Sequence, residues 1–117
     1  MCGIVGFCGR RADREEILHR MMEAIAHRGP DGEGSYFGDG AALGHRRLSI
    51  IDNEGGRQPM FNETGRLVLV FNGEIYNFME LREQLAAAGH TFASDHSDTA
   101  VLLHGYEAWG EGMLEKL

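Results

Sequence analysis

The sequence begins MCGIVGF and so places a cysteine, Cys2, directly behind a methionine. Methionine aminopeptidases remove Met1 when the second side chain is small, so we expect a mature chain that begins at Cys2. Its thiol and a free α-amine then belong to one residue. An α-amine, with a reference pKa of about 7.7 to 8.0, can accept a thiol proton near neutral pH, whereas lysine, at about 10.4, cannot. Cys2 therefore offers the nucleophile and the base that acyl transfer requires.

Asn72 and Gly73 follow an apolar segment and could donate hydrogen bonds to a developing oxyanion. A side-chain amide would then stand next to a backbone N–H, and each well-placed donor is worth about 100- to 1,000-fold in rate. The same dipeptide is also typical of hairpin turns. The following residues, from Glu74 to Asn77, do not begin a partner strand, and this favours the oxyanion interpretation.

Arg47 and Asp98 could recognise the two charges of a free amino acid. Arg47 ends a predicted strand, where its planar guanidinium could bind a carboxylate through two hydrogen bonds. Asp98 lies near a predicted helix start and could receive an ammonium group. Either residue alone is also typical of a protein surface or a helix cap. Together they would recognise an α-amino acid head group.

Strands are predicted on either side of a first helix. The apolar residues from Ile4 to Phe7 predict a short buried strand, which would anchor Cys2. A helix is predicted from Asp13 to His27; Asp13 and Glu16 form a capping-box-like start, and Gly29 ends the helix. A hairpin is predicted next, with strands from Ser35 to Phe37 and from Ala42 to Leu48. The loop between them, from His27 to Gly32, is expected to have a structural role in ordering the loop, with Arg28 as a secondary candidate for the site.

The second half of the chain is predicted to hold one central strand and two helices. Residues 53 to 62 are polar and predict a surface connection. A strand that is apolar on both faces is predicted from Leu67 to Phe71. A helix follows, which begins at the capping pair Asn77 and Glu80 and ends at Gly89. A second helix is capped by Ser97 and is expected to point Val101, Leu102 and Tyr106 inward. This order of elements favours an α/β or α+β sandwich over a helix bundle.

Composition excludes several classes of function. The 117 residues include 11 Lys and Arg against 18 Asp and Glu, a net charge of −7 that argues against nucleic-acid binding or a basic membrane surface. The two cysteines are too few for a disulfide scaffold and indicate a reducing compartment, and no targeting or membrane segment is recognised, so a cytoplasmic protein is expected.

No metal site and no nucleotide site are predicted from the motifs. The six histidines show no metal-ligand spacing and are expected to be solvated or packed: His19, His27, His45, His90, His96 and His104. Gly38, Gly40 and Gly44 do not form a dinucleotide fingerprint, and no P-loop occurs. Cys8 is expected to be a small buried hydrophobic residue.

Six motifs together resemble a known family. MCGIVGF, HRGPDGEG, LGHRRLSIID, QPMFN, FNGEIYNFMELREQL and SDTAVLL occur in the order seen in class II glutamine amidotransferase domains, and are most similar to the glutaminase domain of glutamine-hydrolysing asparagine synthetases. The resemblance covers essentially the whole chain. It implies an α+β fold of the N-terminal-nucleophile type, a four-layer sandwich with antiparallel β-sheets between helices.

The family's site residues map onto positions already singled out. The resemblance implies that Cys2 is the nucleophile with its own amine as base, and that Asn72 and Gly73 form the oxyanion hole. The substrate implied is L-glutamine, bound by Arg47, Leu48, Ser49, Ile50, Ile51, Asn72, Gly73, Glu74 and Asp98. Ala100 departs from the family, which usually has an acidic residue there, so glutamine binding could be weaker.

The resemblance also implies parts that lie beyond this segment. Residues 1–117 would be the N-terminal portion of a type 2 amidotransferase domain, incomplete at its C-terminus and lacking the synthetase domain of full-length relatives. No cofactor is expected here, since ATP and Mg²⁺ would serve that synthetase domain. The ammonia from glutamine would then amidate aspartate.

Two alternatives and one assembly question stay open. The chain could be a related class II amidotransferase with a different acceptor, or an inactive truncated remnant that binds glutamine without turnover. Besides glutamine and the synthetase domain, a homodimer partner is left open, with no nucleic acid and no membrane expected.

Overall fold

The computed structural model describes residues 1–49, 56–92 and 97–117. Every strand pair in it is antiparallel, and helices lie between the strands along the chain, so the predicted α+β class is confirmed. The elements are β1 (Gly3–Cys8), α1 (Arg14–Ala24), a 3₁₀ turn (Ala26–Arg28), β2 (Gly32–Gly38), β3 (Ala41–Arg47), β4 (Met60–Phe61), β5 (Val68–Leu69), α2 (Phe78–Ala87), α3 (Asp98–Trp109) and a second 3₁₀ segment (Gly110–Lys116).

The chain divides into two compact units. Unit 1 comprises Met1–Pro59 and Val70–Asn72, and unit 2 comprises Met60–Leu69 and Gly73–Leu117. Among the described residues, no helix combines the length and the apolar character that a bilayer span requires.

Unit 1 contains a three-stranded sheet in the order β1-β3-β2. The predicted hairpin is confirmed, because β2 and β3 pair antiparallel around a turn at Asp39 and Gly40, where Gly40 has a φ of 85°. Strand β1 pairs with the other edge of β3, with Gly3 opposite Arg46. The start of β1 therefore lies at the same end of the sheet as the end of β3.

Helix α1 packs on this sheet, and a hydrophobic core lies between the helix and the strands. Leu18 and Met22 are buried with Ala42 of β3, and Val5, Phe7 and Phe37 pack against them. The helix is shorter than predicted, because it ends at Ala24 and a 3₁₀ turn follows. Asp13 occupies the predicted N-cap position but makes no side-chain capping bond, since its carboxylate accepts hydrogen bonds from Arg11.

Unit 2 contains a two-residue strand pair and two helices. The strand predicted from Leu67 to Phe71 forms only at β5, Val68–Leu69, and its predicted central position is wrong, because β5 is half-buried and belongs to a two-stranded sheet with β4. Strand β4 lies inside the segment predicted to be a surface connection, whose residues 53–55 lie outside the described range. A continuous run of apolar residues does not report how many of them find a pairing partner.

Helices α2 and α3 pack against each other in unit 2. Their buried side chains include Leu81 and Leu85 of α2 and Val101 of α3, and Val101 lies on the face that was predicted to point inward. Tyr106 does not follow the prediction, because it is 50% exposed. Ser97 caps α3 as predicted, and its hydroxyl accepts the N–H of Ala100 at 3.2 Å.

Gly29 has a structural requirement that can be tested. A Cβ at this position would lie 2.3 Å from the carbonyl carbon of Arg46, a backbone atom that cannot move aside. We expect Gly29→Ala to lower the free energy of unfolding by about 1–3 kcal/mol, the usual cost of overpacking. Urea unfolding measures this change.

The matched control is Gly32→Ala, three residues further along. A Cβ at Gly32 would meet no atom closer than 3.8 Å. This substitution should change the unfolding free energy by less than about 0.5 kcal/mol. Equal losses in the two variants would contradict the close approach at Gly29.

Candidate active site

Cys2 lies directly ahead of β1 and is half-buried. Its Sγ accepts a hydrogen bond from the backbone N–H of Leu48 at 3.4 Å, and the thiol lies 3.9 Å from the carbonyl oxygen of the same residue. Arg28 donates from Nε to the carbonyl oxygen of Cys2 at 3.2 Å. The antiparallel register of β1 on β3 thus places the Cys2 thiol beside Leu48, the residue that follows Arg47.

Arg47 is the last residue of β3, as predicted, and lines a cavity of about 450 Å³ in unit 1. Such a volume lies within the range of small-molecule pockets. Cavity walls combine cationic, anionic and neutral polar groups, which suits a zwitterionic ligand. The lining residues are Asp31, Gly32, Glu33, His45, Arg47, Ser49, Arg57 and Gln58.

The loop from His27 to Gly32 is tied to the end of β3. Asp31 accepts the backbone N–H of Ser49 through Oδ2 at 2.8 Å, and its own N–H donates to the carbonyl oxygen of Arg47 at 3.0 Å. Arg46 donates from Nε to the carbonyl oxygen of Gly29 at 3.1 Å. These bonds fix the backbone on both sides of Leu48, which contacts the Cys2 sulfur.

His45 is a cavity residue for which sequence reasoning assigned no role beyond packing. It is 2% exposed, and within the described part of the chain its Nε2 has no hydrogen-bond partner. Burial lowers the pKa of His45 below its ordinary value of 6.5; a backbone hydrogen bond with Phe71 opposes this shift, and the charge of Arg47 adds to it. The imidazole is therefore neutral near pH 7, and its buried Nε2 keeps an unused hydrogen-bonding capacity beside the cavity.

The depressed pKa of His45 predicts how stability depends on pH. The unfolded chain binds a proton at the ordinary pKa of 6.5, whereas the folded chain binds it only at lower pH. The free energy of unfolding therefore falls as pH drops below about 6.5, with a contribution of up to about 1.4 kcal/mol per pH unit. His45→Gln should remove this part of the slope, as measured by urea unfolding between pH 7.5 and roughly pH 5.

The exposed His27 provides the control for this pH experiment. His27→Gln also replaces an imidazole by an amide, but outside the cavity. The account requires the difference in unfolding free energy between wild type and His45→Gln to change as the pH falls. Parallel pH curves for wild type and His45→Gln would contradict it.

Asn72 ends a segment of unit 1 that runs beside the cavity. The preceding Phe71 donates its backbone N–H to Oε1 of Gln58, a cavity residue, and Asn72 itself is half-buried. Residues 70–77 contain no strand, so Asn72 and Gly73 do not form the turn of a hairpin. This agrees with the sequence evidence from Glu74 to Asn77, which weakened the hairpin interpretation.

Asp98 lies in the first turn of α3, as predicted. Its Oδ2 accepts the backbone N–H of Ile75 at 3.0 Å, and the hydroxyl of Thr99 donates to Oδ1 at 3.5 Å. The carboxylate thereby fixes the backbone that follows Gly73 and Glu74, both of which are exposed. Because a carboxylate can accept about four hydrogen bonds, Asp98 retains capacity for an ammonium donor.

The predicted site residues fall into both units. Unit 1 contains five of them: Cys2, Arg47, Leu48, Ser49 and Asn72. The first four lie together around the end of β3, where hydrogen bonds link Cys2 to Leu48 and Asp31 to Ser49. Gly73, Glu74 and Asp98 belong to unit 2. Ile50 and Ile51 lie outside the described residues.

Comparison with known proteins agrees with the motifs. Residues 1–117 match the model of the glutamine amidotransferase domain family. Over its whole length the chain is 47% identical to asparagine synthetase (glutamine-hydrolyzing) 1 of Bacillus subtilis (strain 168), of which it covers 19%. It is 42% identical to asparagine synthetase (glutamine-hydrolyzing) of Sandersonia aurantiaca and 39% identical to probable asparagine synthetase (glutamine-hydrolyzing) of Dictyostelium discoideum, and covers 22% of each.

These matches confirm the resemblance that the six motifs indicated. The chain spans about a fifth of the length of these curated relatives. The match to the family model, in contrast, extends over every residue of the chain. This chain therefore belongs to the glutamine amidotransferase domain family.

Proposed function

We propose that this chain hydrolyses the side-chain amide of L-glutamine, with Cys2 as the nucleophile. After removal of Met1, the α-amine of Cys2 takes the thiol proton and the sulfur attacks the amide carbon. The C–N bond then breaks, the amine returns the proton to the departing nitrogen, and ammonia leaves behind a glutamyl thioester. Water attacks the thioester, which gives glutamate and regenerates the thiol.

The contact between the Cys2 sulfur and Leu48 carries this proposal. It places the thiol beside the backbone of Leu48, the residue that follows the cavity residue Arg47. Met1 is 74% exposed and so accessible to an aminopeptidase. A thiol without a nearby cationic subsite would not favour an amino acid as substrate.

We assign the recognition of glutamine to charges at the two ends of the head group. Arg47 binds the α-carboxylate through two hydrogen bonds, and the backbone from Leu48 to Ile51 lines the substrate. Asp98 and Glu74 receive the α-ammonium group. The hydrogen bond from Ile75 to Asp98 supports this role, because it orients the carboxylate without exhausting its acceptor capacity.

The oxyanion hole is proposed to consist of the Asn72 side-chain amide and the N–H of Gly73. Both would donate to the oxygen that becomes negatively charged when sulfur attacks. The absence of strand structure over residues 70–77 supports this role, because the two donors are then not engaged in a ladder.

The fate of the ammonia is proposed from the relatives. They are named asparagine synthetases, so we infer that the ammonia amidates aspartate in a C-terminal synthetase domain, with ATP and Mg²⁺ used there and no cofactor in the glutaminase half. In this proposal residues 1–117 belong to a type 2 amidotransferase domain with a four-layer sandwich fold. A nucleophilic thiol requires reducing conditions, which supports a cytoplasmic location.

A product assay tests the proposed hydrolysis. The chain is incubated with L-glutamine, and glutamate and ammonia are quantified separately, with L-asparagine, one methylene shorter, as the control substrate. We expect equal amounts of both products from glutamine and little from asparagine. Glutamine binding without glutamate release would contradict the proposal and would favour the alternative of an inactive glutamine-binding remnant.

A further inference from the structure

Unit 2 contains a group of imidazole and carboxylate side chains that the glutaminase chemistry does not use. His90, His104 and Glu107 each offer one ligand atom, and these atoms all lie within 4.8 Å of one another. We propose that they form a binding site for a divalent transition-metal ion of the zinc type. The site requires no residue of the candidate active site.

The imidazoles of His90 and His104 meet edge to face, with an angle of 68° between their planes, and bring two ring nitrogens to the separation that a shared ion needs. Their Nδ1 atoms are 3.2 Å apart. Two nitrogens bound to one tetrahedral Zn²⁺ at 2.0–2.1 Å are separated by about 3.3 Å, so little rearrangement is needed. Oε2 of Glu107 lies 3.9 Å from Nδ1 of His104, and a small side-chain rotation would complete three ligands.

Neighbouring polar groups orient these ligands. Oε1 of Glu63 lies 3.5 Å from Nε2 of His104, so the proton of that imidazole is favoured on Nε2 and the lone pair is left on Nδ1. A carboxylate behind a ligating histidine is the usual outer partner of a metal site. Asn62, which is buried, donates from Nδ2 to Oε2 of Glu107 at 3.4 Å.

The backbone under the ligands is rigid. His104 and Glu107 lie three residues apart on α3 and therefore on one face of the helix. His90 follows α2 in a Schellman motif: Gly89 has a φ of 97° and the N–H of His90 donates to Leu85 at 3.0 Å. Ligands on fixed elements lose little entropy when the ion binds.

The ligand set selects the class of ion. Imidazole nitrogen suits zinc, copper, iron and nickel, whereas magnesium and calcium prefer oxygen ligands. His104 is 6% exposed, and Glu107 is about one-third exposed, so one side of the group remains open to a fourth ligand such as water. Zn²⁺ is the ion to which the proposal commits.

Metal titration of the alkylated full chain tests the site. Alkylation with iodoacetamide blocks Cys2 and Cys8, which could otherwise bind the ion. We expect one equivalent of Zn²⁺ by calorimetry, one equivalent of Co²⁺ with visible absorption of tetrahedral type, and a rise of several degrees in the thermal midpoint. Absence of stoichiometric binding to the folded chain would overturn the proposal.

Variants assign the binding to these side chains. His90→Gln should abolish stoichiometric binding, and Glu63→Gln should weaken it roughly 10–100-fold. The control is His19→Gln, which removes an exposed histidine that pairs with Glu23 on α1 and should leave the affinity unchanged. His90 is only half-buried, so its variant reports on the ligand even if replacement of His104 prevents folding. Wild-type affinity in His90→Gln would overturn the assignment.

Discussion

Cys2→Ala is expected to lower glutamine hydrolysis by a factor on the order of 10⁴ or more, because the sulfur that forms the thioester is lost. Removal of a covalent nucleophile is usually the largest single effect available in such an enzyme. The measurement is glutamate release at saturating glutamine. Folding of the variant can be verified by its urea unfolding curve, since within the described part of the chain the hydrogen bonds of Cys2 are those with Leu48 and Arg28.

Cys8→Ser is the matched control for this experiment. Cys8 is the last residue of β1, and it is exposed rather than buried as the sequence analysis expected. Its replacement should leave the rate of hydrolysis near that of wild type. More than about 1% residual activity in Cys2→Ala, or an equal loss in Cys8→Ser, would contradict a covalent role for Cys2.

Asn72→Ala is expected to reduce kcat for glutamine hydrolysis by about 10²–10³-fold, the cost of removing one oxyanion donor. KM should change much less, because the oxyanion develops only after sulfur attack. Steady-state kinetics with glutamate as the measured product separates the two constants.

Asn77→Ala controls for the loss of an asparagine in the same stretch of chain. The side chain of Asn77 donates to the carbonyl oxygen of Lys116 and occupies the N-cap position of α2. We expect some loss of stability and a nearly unchanged kcat. If Asn72→Ala instead raised KM with kcat intact, Asn72 would be a binding residue rather than an oxyanion donor.

Local signals predicted the elements that carry the site. Gly38, Asp39 and Gly40 indicate a tight turn whatever surrounds them, and the hairpin of β2 and β3 forms there. The Ser97 cap depends on one hydroxyl and one nearby N–H, so it too can be inferred from sequence. As a result, Arg47 and Asp98 were correctly expected at the end of a strand and the start of a helix.

Features that depend on distant partners were missed or misjudged. The Asp98 carboxylate accepts the N–H of Ile75, 23 positions away, and no local pattern indicates this contact. His45 lies on a strand whose alternation is interrupted by Gly44, so its burial could not be inferred. The exposure of Tyr106 similarly reflects which faces of α3 find a partner, and this is decided by tertiary packing.

The central claim is that the Cys2 thiol, freed by loss of Met1, forms a covalent bond with the substrate. Its most direct test is the intact mass and peptide map of the chain after treatment with a thiol-reactive glutamine analogue, with and without excess glutamine. The account predicts a chain that lacks Met1 and carries one adduct on Cys2, with protection by glutamine. Retention of Met1, or an adduct on Cys8 with Cys2 unmodified, would contradict it.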